Sequence, residues 1–336
     1  MKNLKCLLPV IAVALLNSCA ANLSYSGSPF KKSYESITPD ELKTHLYVVA
    51  SDEMEGRDTG SEGQKKAGRY LIEQYEKMGV SHPKSMTSYY QIVPKEALMG
   101  RRGNLPESEN ILAFIEGSEK PDEVIVVSAH YDHVGMKDGE IYNGADDDGS
   151  GTVALLEIAE AFQMAKKSGN GPKRSILFLH VTGEEHGLLG SKYYADHPIF
   201  PMANTVADLN IDMIGRCDPA NCGKDYVYVI GSEMLSTDLK KISVAANEAT
   251  TKLELNYKYD DPKDTERLYY RSDHYNFAKN GVPVIFYFDG IHADYHKSTD
   301  EADKIDYNAL QKRTQLVFAT AWELANRKDR IVVDKK

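Results

Sequence analysis

Five short segments of this 336-residue chain carry side chains able to do metal chemistry, and most of them lie where apolar runs stop. The run Val124 to Ala129 leads into His130-Tyr131-Asp132-His133. A His with a carboxylate two residues on can bind a metal through one ring nitrogen while the carboxylate orients the other. Alone, such a pair is more often structural. Gly144-Ala145-Asp146-Asp147-Asp148-Gly149-Ser150-Gly151 packs three adjacent carboxylates into a glycine-rich turn. They repel one another near neutral pH, and a cation would relieve that cost; a solvated acidic loop is the alternative. Ile176 to Val181 leads into Thr182-Gly183-Glu184-Glu185-His186-Gly187. Adjacent side chains point different ways, so one Glu can hold a metal while its neighbour acts as a base. Asp212 reads as a lone carboxylate in an apolar strand, expensive to bury without a partner. The segment Asp294-Tyr295-His296-Lys297-Ser298-Thr299-Asp300 follows the run Val284 to Phe288 by a few residues.

These segments need a frame. Continuous apolar runs suit the central strands of a sheet covered on both faces. Ala67, Tyr70, Leu71, Tyr75 and Met78 recur at helical spacing over residues 63–78, and Gly79 stops that helix. Further helices are expected near 151–167, 236–250, 272–280 and 306–326. The alternation of strands and helices implies an α/β sheet covered by helices on both faces. Such sheets place their ligands at the carboxyl ends of the strands, where most of the five segments fall. Tyr89 to Pro106 reads as irregular and too short to hold an inserted domain.

Composition narrows the function. Forty Lys and Arg against fifty Asp and Glu give a net charge of −10, which argues against a nucleic-acid partner, usually met by a basic face. The 21 Tyr form no stripe that would stack bases. With 42% hydrophobic residues the chain can bury a core. The first 18 residues read as a signal peptide: Lys2 and Lys5, then an apolar stretch from Leu7 to Leu16 too short to span a bilayer. Leu16-Asn17-Ser18-Cys19 resembles a bacterial lipobox, although Asn17 departs from the usual small residue; a plain signal peptide cut near Ser18 or Ala21 is the alternative. Lipidation of Cys19 predicts an exported protein of the bacterial cell envelope, in the periplasm or on an outer-membrane face, held at the membrane only through its lipid. Residues 19–36 then read as a tether and 37–330 as the catalytic domain. Losing Lys2 and Lys5 takes the net charge from −10 to −12.

In their order along the chain, HYDH, GADDDGSG, GEEHGLLGS, NIDMIG, RSDHYNF and YHKSTD resemble the co-catalytic di-zinc aminopeptidases, peptidase family M28, over about Ser51 to Asp306. The resemblance implies a three-layer α/β/α fold with a central mixed, mostly parallel twisted sheet, the zinc-exopeptidase (phosphorylase/hydrolase-like) architecture. It implies His130 and Asp212 on one zinc, Glu185 and His296 on the other, and Asp147 bridging both. It makes Glu184 the general base, Asp132 the support of His130, Asp300 a support of His296, and the Asp147-Asp148 peptide cis. The set suits two Zn²⁺, with cobalt or manganese as substitutes. The implied reaction is hydrolysis of the peptide bond next to a free amino terminus, by a water shared between the metals. A carboxypeptidase or dipeptidase of the same family, a glutaminyl cyclase and a non-catalytic binding lipoprotein are the competing readings.

Tyr295 is a candidate oxyanion donor, and Asp273 and His274 are candidates for substrate contact. His133 is read as structural and His186 as a local hydrogen-bonding group. Cys217 and Cys222 lie in one short loop, where an oxidising compartment permits a disulfide without guaranteeing its geometry. The carboxypeptidase reading would need cationic groups for a terminal carboxylate, for which Arg271 is a candidate.

Overall fold

The computed structural model describes residues 25–100 and 103–335. Eight strands form the main sheet: β1 (Tyr90–Val93), β2 (Ser108–Ile115), β3 (Lys120–His130), β4 (Arg174–Val181), β5 (Thr205–Ile211), β6 (Tyr226–Ile230), β7 (Glu254–Asn256) and β8 (Val284–Phe288). Their spatial order is β1-β2-β4-β3-β5-β8-β6-β7. The central four, β4-β3-β5-β8, run parallel; β2 and β6 flank them antiparallel, so the sheet is mixed as expected. Every residue of β4, β5 and β8 is buried, which is why Ile176 to Val181 and Val284 to Phe288 read as continuous apolar runs rather than alternating ones.

The helices are α1 (Ser28–Ser36), α2 (Pro39–Val49), α3 (Glu62–Met78), α4 (Gly151–Lys167), α5 (Leu189–Asp196), α6 (Thr237–Ala249), α7 (His274–Ala278) and α8 (Tyr307–Asn326). Their ends follow local chemistry. Ser61 and Ser236 accept backbone N–H bonds at the starts of α3 and α6, Asp306 does the same for α8, and left-handed Gly79 ends α3. One core on one face of the sheet joins α1, α2, α3, α4, α6 and α8 to Ile125, Val127 and Ile285. On the other face, Tyr194 of α5 and Phe277 of α7 pack with Val124, Val126, Leu177 and Leu179.

Three sequence expectations change. The tether expected to reach Ser36 is helical from Ser28, and Phe30 is buried against Phe318 and Trp322 of α8. Apolar residues in a polar stretch were the overlooked signal. The irregular stretch from Tyr89 contains the edge strand β1, paired with β2. Asp212 stands just beyond β5 rather than inside it. Residues 1–18 and Cys19, the signal and lipidation expectations, lie outside the described residues.

Candidate metal centre

Parallel strands point their carboxyl ends the same way, and all four central strands deliver donors to one edge. His130 closes β3, Glu184 and Glu185 follow β4, Asp212 follows β5, and His292 and His296 follow β8. Asp147 comes from the turn that feeds α4, where the Asp147-Asp148 peptide is cis.

Asp147 sits between two groups of donors. Its Oδ1 is 3.2 Å from His130 Nε2, and its Oδ2 is 3.0 Å from His296 Nε2. Asp212 Oδ1 lies 3.6 Å from His130 Nε2. Glu185 Oε2 lies 3.2 Å from His296 Nε2. Thus the five residues grouped by sequence come together, with one carboxylate between two pairs. His130, Asp147, Asp212 and Glu185 are buried or nearly so, while His296 is more exposed at the rim.

Two residues join this set that the sequence reading left aside. His133 is buried, its Nδ1 2.8 Å from Glu185 Oε1 and 3.8 Å from Asp147 Oδ2. The available signal is its place in HYDH, three residues beyond His130. Asp148 lies close enough to His130 and Asp212 to share an ion with them. Its Oδ1 already accepts N–H bonds from Met213 and Gly151, at 3.1 and 2.9 Å. Asp147 keeps both oxygens toward the two donor pairs and is the better bridge.

A metal fits these residues. His130 Nε2, His133 Nδ1 and Nε2, Asp147 Oδ2, Asp148 Oδ2 and Glu185 Oε1 are buried without a hydrogen-bond partner. So many orphaned polar atoms facing one another would be costly in a pocket meant to stay metal-free. The donors are imidazole and carboxylate with no thiolate, a set suited to zinc and also to cobalt or manganese.

The supports hold these donors rigidly. His130 Nδ1 lies 3.0 Å from the Asp132 carbonyl and 3.8 Å from its carboxylate. The carboxylate itself accepts bonds from the Thr59 hydroxyl (2.8 Å) and the Glu184 N–H (3.2 Å). Asp132 therefore orients His130 mainly through its backbone and ties the β3 loop to the Glu184 loop. Asp300 accepts the N–H groups of Asp146 and Asp147 at 3.0 and 3.2 Å. It supports Asp147 rather than His296, because the loop after β8 folds back under the aspartate turn. Ser272 donates to Asp212 Oδ2 at 2.7 Å. Arg57, fully buried, donates to the carbonyls of Val49, Tyr131, Asn143 and Gly144 and so links the two metal-facing loops to the segment before α3.

Electrostatics set Glu184 apart. Burial pushes its carboxyl well above the ordinary range, reinforced by the nearby charges of Asp212, Asp273 and Glu185 against the opposing pull of His130. Burial also opposes ionisation of Asp147, but its contacts with His130 and His296 outweigh that and hold it well below the ordinary range. Two carboxyls lining one cleft and pushed apart in this way mark a proton-transferring group and a charge-holding one.

A cleft opens beside the donors, lined by Asp147, Glu184, Asp212, Met213, Leu268, Arg271, Phe286, Phe288, Ile291 and Tyr295. Tyr295 stacks on His296, with ring centroids 3.9 Å apart, and reaches this cleft. Asp273 and His274 do not line it. Asp273 is buried and accepts from the Ser191 hydroxyl; His274 is buried against Phe286. Both are displaced from substrate contact because α7 turns them into the second face of the sheet. Cys217 and Cys222 form a disulfide in the loop after Asp212.

The model of peptidase family M28 matches residues 110–321. A "Probable leucine aminopeptidase" of Arthroderma otae is 31% identical over 224 residues, covering 64% of this chain and 57% of that one. The chain thus spans somewhat over half the length of that curated relative. Among solved structures, BSAP, a zinc aminopeptidase from Bacillus subtilis, aligns with a TM-score of 0.66 at 16% identity over 89% of this chain and 99% of that one. Porphyromonas gingivalis glutaminyl cyclase aligns with a TM-score of 0.67 at 20% identity over 84% and 98%. At such identities the structural likeness speaks for the fold, which two different chemistries share. The family model covers more than half of the sequence and contains His130, Asp147, Glu184, Glu185, Asp212 and His296, so this chain belongs to peptidase family M28.

Proposed function

We propose that this chain is a zinc-dependent aminopeptidase that hydrolyses the peptide bond following a free amino-terminal residue. The observation that carries the reading is Asp147 between His130 and His296, with Glu184 beside it and outside both donor pairs. His130 and Asp212 would hold one ion, Glu185 and His296 the other, and Asp147 both. Ions there would supply the acidity that makes water a nucleophile near neutral pH and the positive charge that a tetrahedral oxyanion needs.

The chain's own residues supply the rest. Glu184 takes a proton from the attacking water on its carboxylate and returns it to the leaving amine, a transfer suited to a carboxyl that burial raises above the ordinary range. Asp132 fixes the Glu184 backbone, and Ser272 fixes Asp212, so the base and its neighbours hold a constant geometry. Tyr295, at the cleft wall beside His296, would offer its hydroxyl to the oxyanion. The apolar walls Met213, Leu268, Phe286 and Phe288 shed water around the bound substrate.

Glutaminyl cyclase chemistry on the same fold is the second reading, and five convergent donors with a central carboxylate favour hydrolysis over it. Export and anchoring through Cys19 belong to the same proposal and rest on the sequence of residues 1–19. The test is a rate profile over aminoacyl and dipeptide substrates on protein of measured metal content, with and without chelator. Aminoacyl hydrolysis abolished by chelation and restored by zinc is expected. Two bound zincs with no hydrolysis across the panel would sink the reading, and conversion of an N-terminal glutaminyl peptide to pyroglutamate would replace it.

A further inference from the structure

Arg271 is the one Lys or Arg among the residues lining the cleft beside the metal donors. The cleft encloses ≈ 370 Å³, its open mouth included, and apart from the metal donors, Glu184 and Arg271 its walls are Met213, Leu268, Phe286, Phe288, Ile291 and Tyr295. Among the described residues the Arg271 guanidinium has no hydrogen-bond or ion-pair partner, and it is exposed. Its neighbour in sequence space, Arg267, is occupied: that guanidinium lies over the Tyr270 ring at 4.9 Å.

The backbone at Arg271 is fixed relative to the reacting centre. The next residue, Ser272, is buried, donates to Asp212 Oδ2 at 2.7 Å and accepts from Asn210 at 2.9 Å. Arg271 N–H also closes a turn onto the Leu268 carbonyl at 3.0 Å. The backbone that carries this permanently charged, planar, unpaired donor is thereby anchored one residue from the Ser272 that bonds Asp212. In the proposed loaded state, two divalent ions would balance the four carboxylates of Asp147, Glu184, Glu185 and Asp212. The guanidinium would then be the uncompensated charge of the cleft.

We propose that Arg271 reads a carboxylate carried by the substrate, so that the cleft takes acidic peptides: those with a glutamyl or aspartyl first residue, or two-residue peptides with a free terminal carboxylate. The proposal rests on the aminopeptidase reading and deepens it by naming the substrate class. The chemistry is a forked, charge-assisted hydrogen bond in a partly desolvated site. A site built that way discriminates strongly against an isostere lacking the charge.

Two substrate pairs isolate the carboxylate and its source. Glutamyl- and glutaminyl-p-nitroanilide differ only in the side chain; leucylglycine and leucylglycinamide differ only at the end. The wild type should show kcat/KM at least about tenfold higher for the acidic member of one pair. Arg271→Gln should bring that ratio within about threefold of unity, and Arg271→Lys should fall between, a point charge without the fork. An advantage in the first pair assigns the carboxylate to the first side chain, and in the second to the terminus. No acidic advantage in either pair, or a ratio that Arg271→Gln leaves intact, overturns the proposal. Calorimetric titration of metal-loaded protein with L-glutamate and with L-glutamine, and with leucylglycine and leucylglycinamide, supplies a readout independent of turnover. If no substrate is hydrolysed, the aminopeptidase reading falls, and the titration still decides Arg271: tighter binding of the acidic member, lost in Arg271→Gln, supports it, and equal or undetectable binding of both members of both pairs overturns it.

Discussion

His133 Nδ1 stands 2.8 Å from Glu185 Oε1, both atoms buried and neither in a hydrogen bond. Glu185 turns its other oxygen to His296, so the two imidazoles hold one carboxylate from two sides. Removing one side frees Glu185 to rotate away from His296. His133→Ala should therefore weaken the Glu185–His296 metal position about tenfold or more, the usual loss when a group supporting a ligand is removed. The check is metal content after dialysis against graded chelator. If both ions are retained as tightly as in the wild type, His133 has no part in holding the metals.

Glu184→Gln keeps the shape and removes the proton acceptor. Turnover should fall about 100-fold or more, within the range typical of general acid–base catalysis. Metal content should stay at the wild-type level, because Glu184 lies outside both donor pairs. Steady-state rates and metal analysis on the same preparation decide it; near-wild-type turnover would exclude Glu184 as the base.

Arg57 satisfies four backbone carbonyls from a fully buried position. Arg57→Met leaves them unpaired among the loops that carry His130 and Asp147. The loss should be about 3 kcal/mol or more, since each orphaned buried acceptor costs roughly 1–3 kcal/mol. Chemical denaturation with chelator present measures it without a metal contribution. A loss below about 1 kcal/mol would show that water replaces the guanidinium.

Buried His180 makes stability fall toward acid. Burial pushes its ring down to about 3, with Nε2 2.7 Å from the Tyr75 hydroxyl. The unfolded chain takes up a proton near pH 6.5, whereas the folded chain does so only near 3. Stability from this residue is therefore complete above pH 6.5 and is lost as pH falls toward 3, by up to about 1.4 kcal/mol per pH unit. His274 is pushed down to about 3 by the same cause and adds its own share. His180→Gln should make the slope of unfolding free energy against pH shallower by about one proton between pH 6 and 4. Urea denaturation across that interval reads the slope directly, and an unaltered slope would count against a neutral buried His180.

Much of this protein is written locally. The apolar runs Val124–Ala129, Ile176–Val181 and Val284–Phe288 are legible as buried strands because both faces of a central strand exclude water, so no alternation is needed. The helices at Glu62–Met78, Gly151–Lys167, Thr237–Ala249 and Tyr307–Asn326 are legible from their spacing and, in several cases, from their end residues. That donor-bearing segments gather at one edge was legible because parallel strands send their carboxyl ends there; the choice of His130, Asp147, Glu185, Asp212 and His296 within them came from the family resemblance. Contacts between loops of different strands were not legible. His133 against Glu185, Asp300 under Asp147, Ser272 on Asp212 and α1 packed on α8 join residues far apart in sequence, and no local pattern encodes which partners meet. Sequence determined which residues reach the edge of the sheet; only tertiary packing decided which carboxylate each one faces, because those distances depend on how loops from four strands settle against one another.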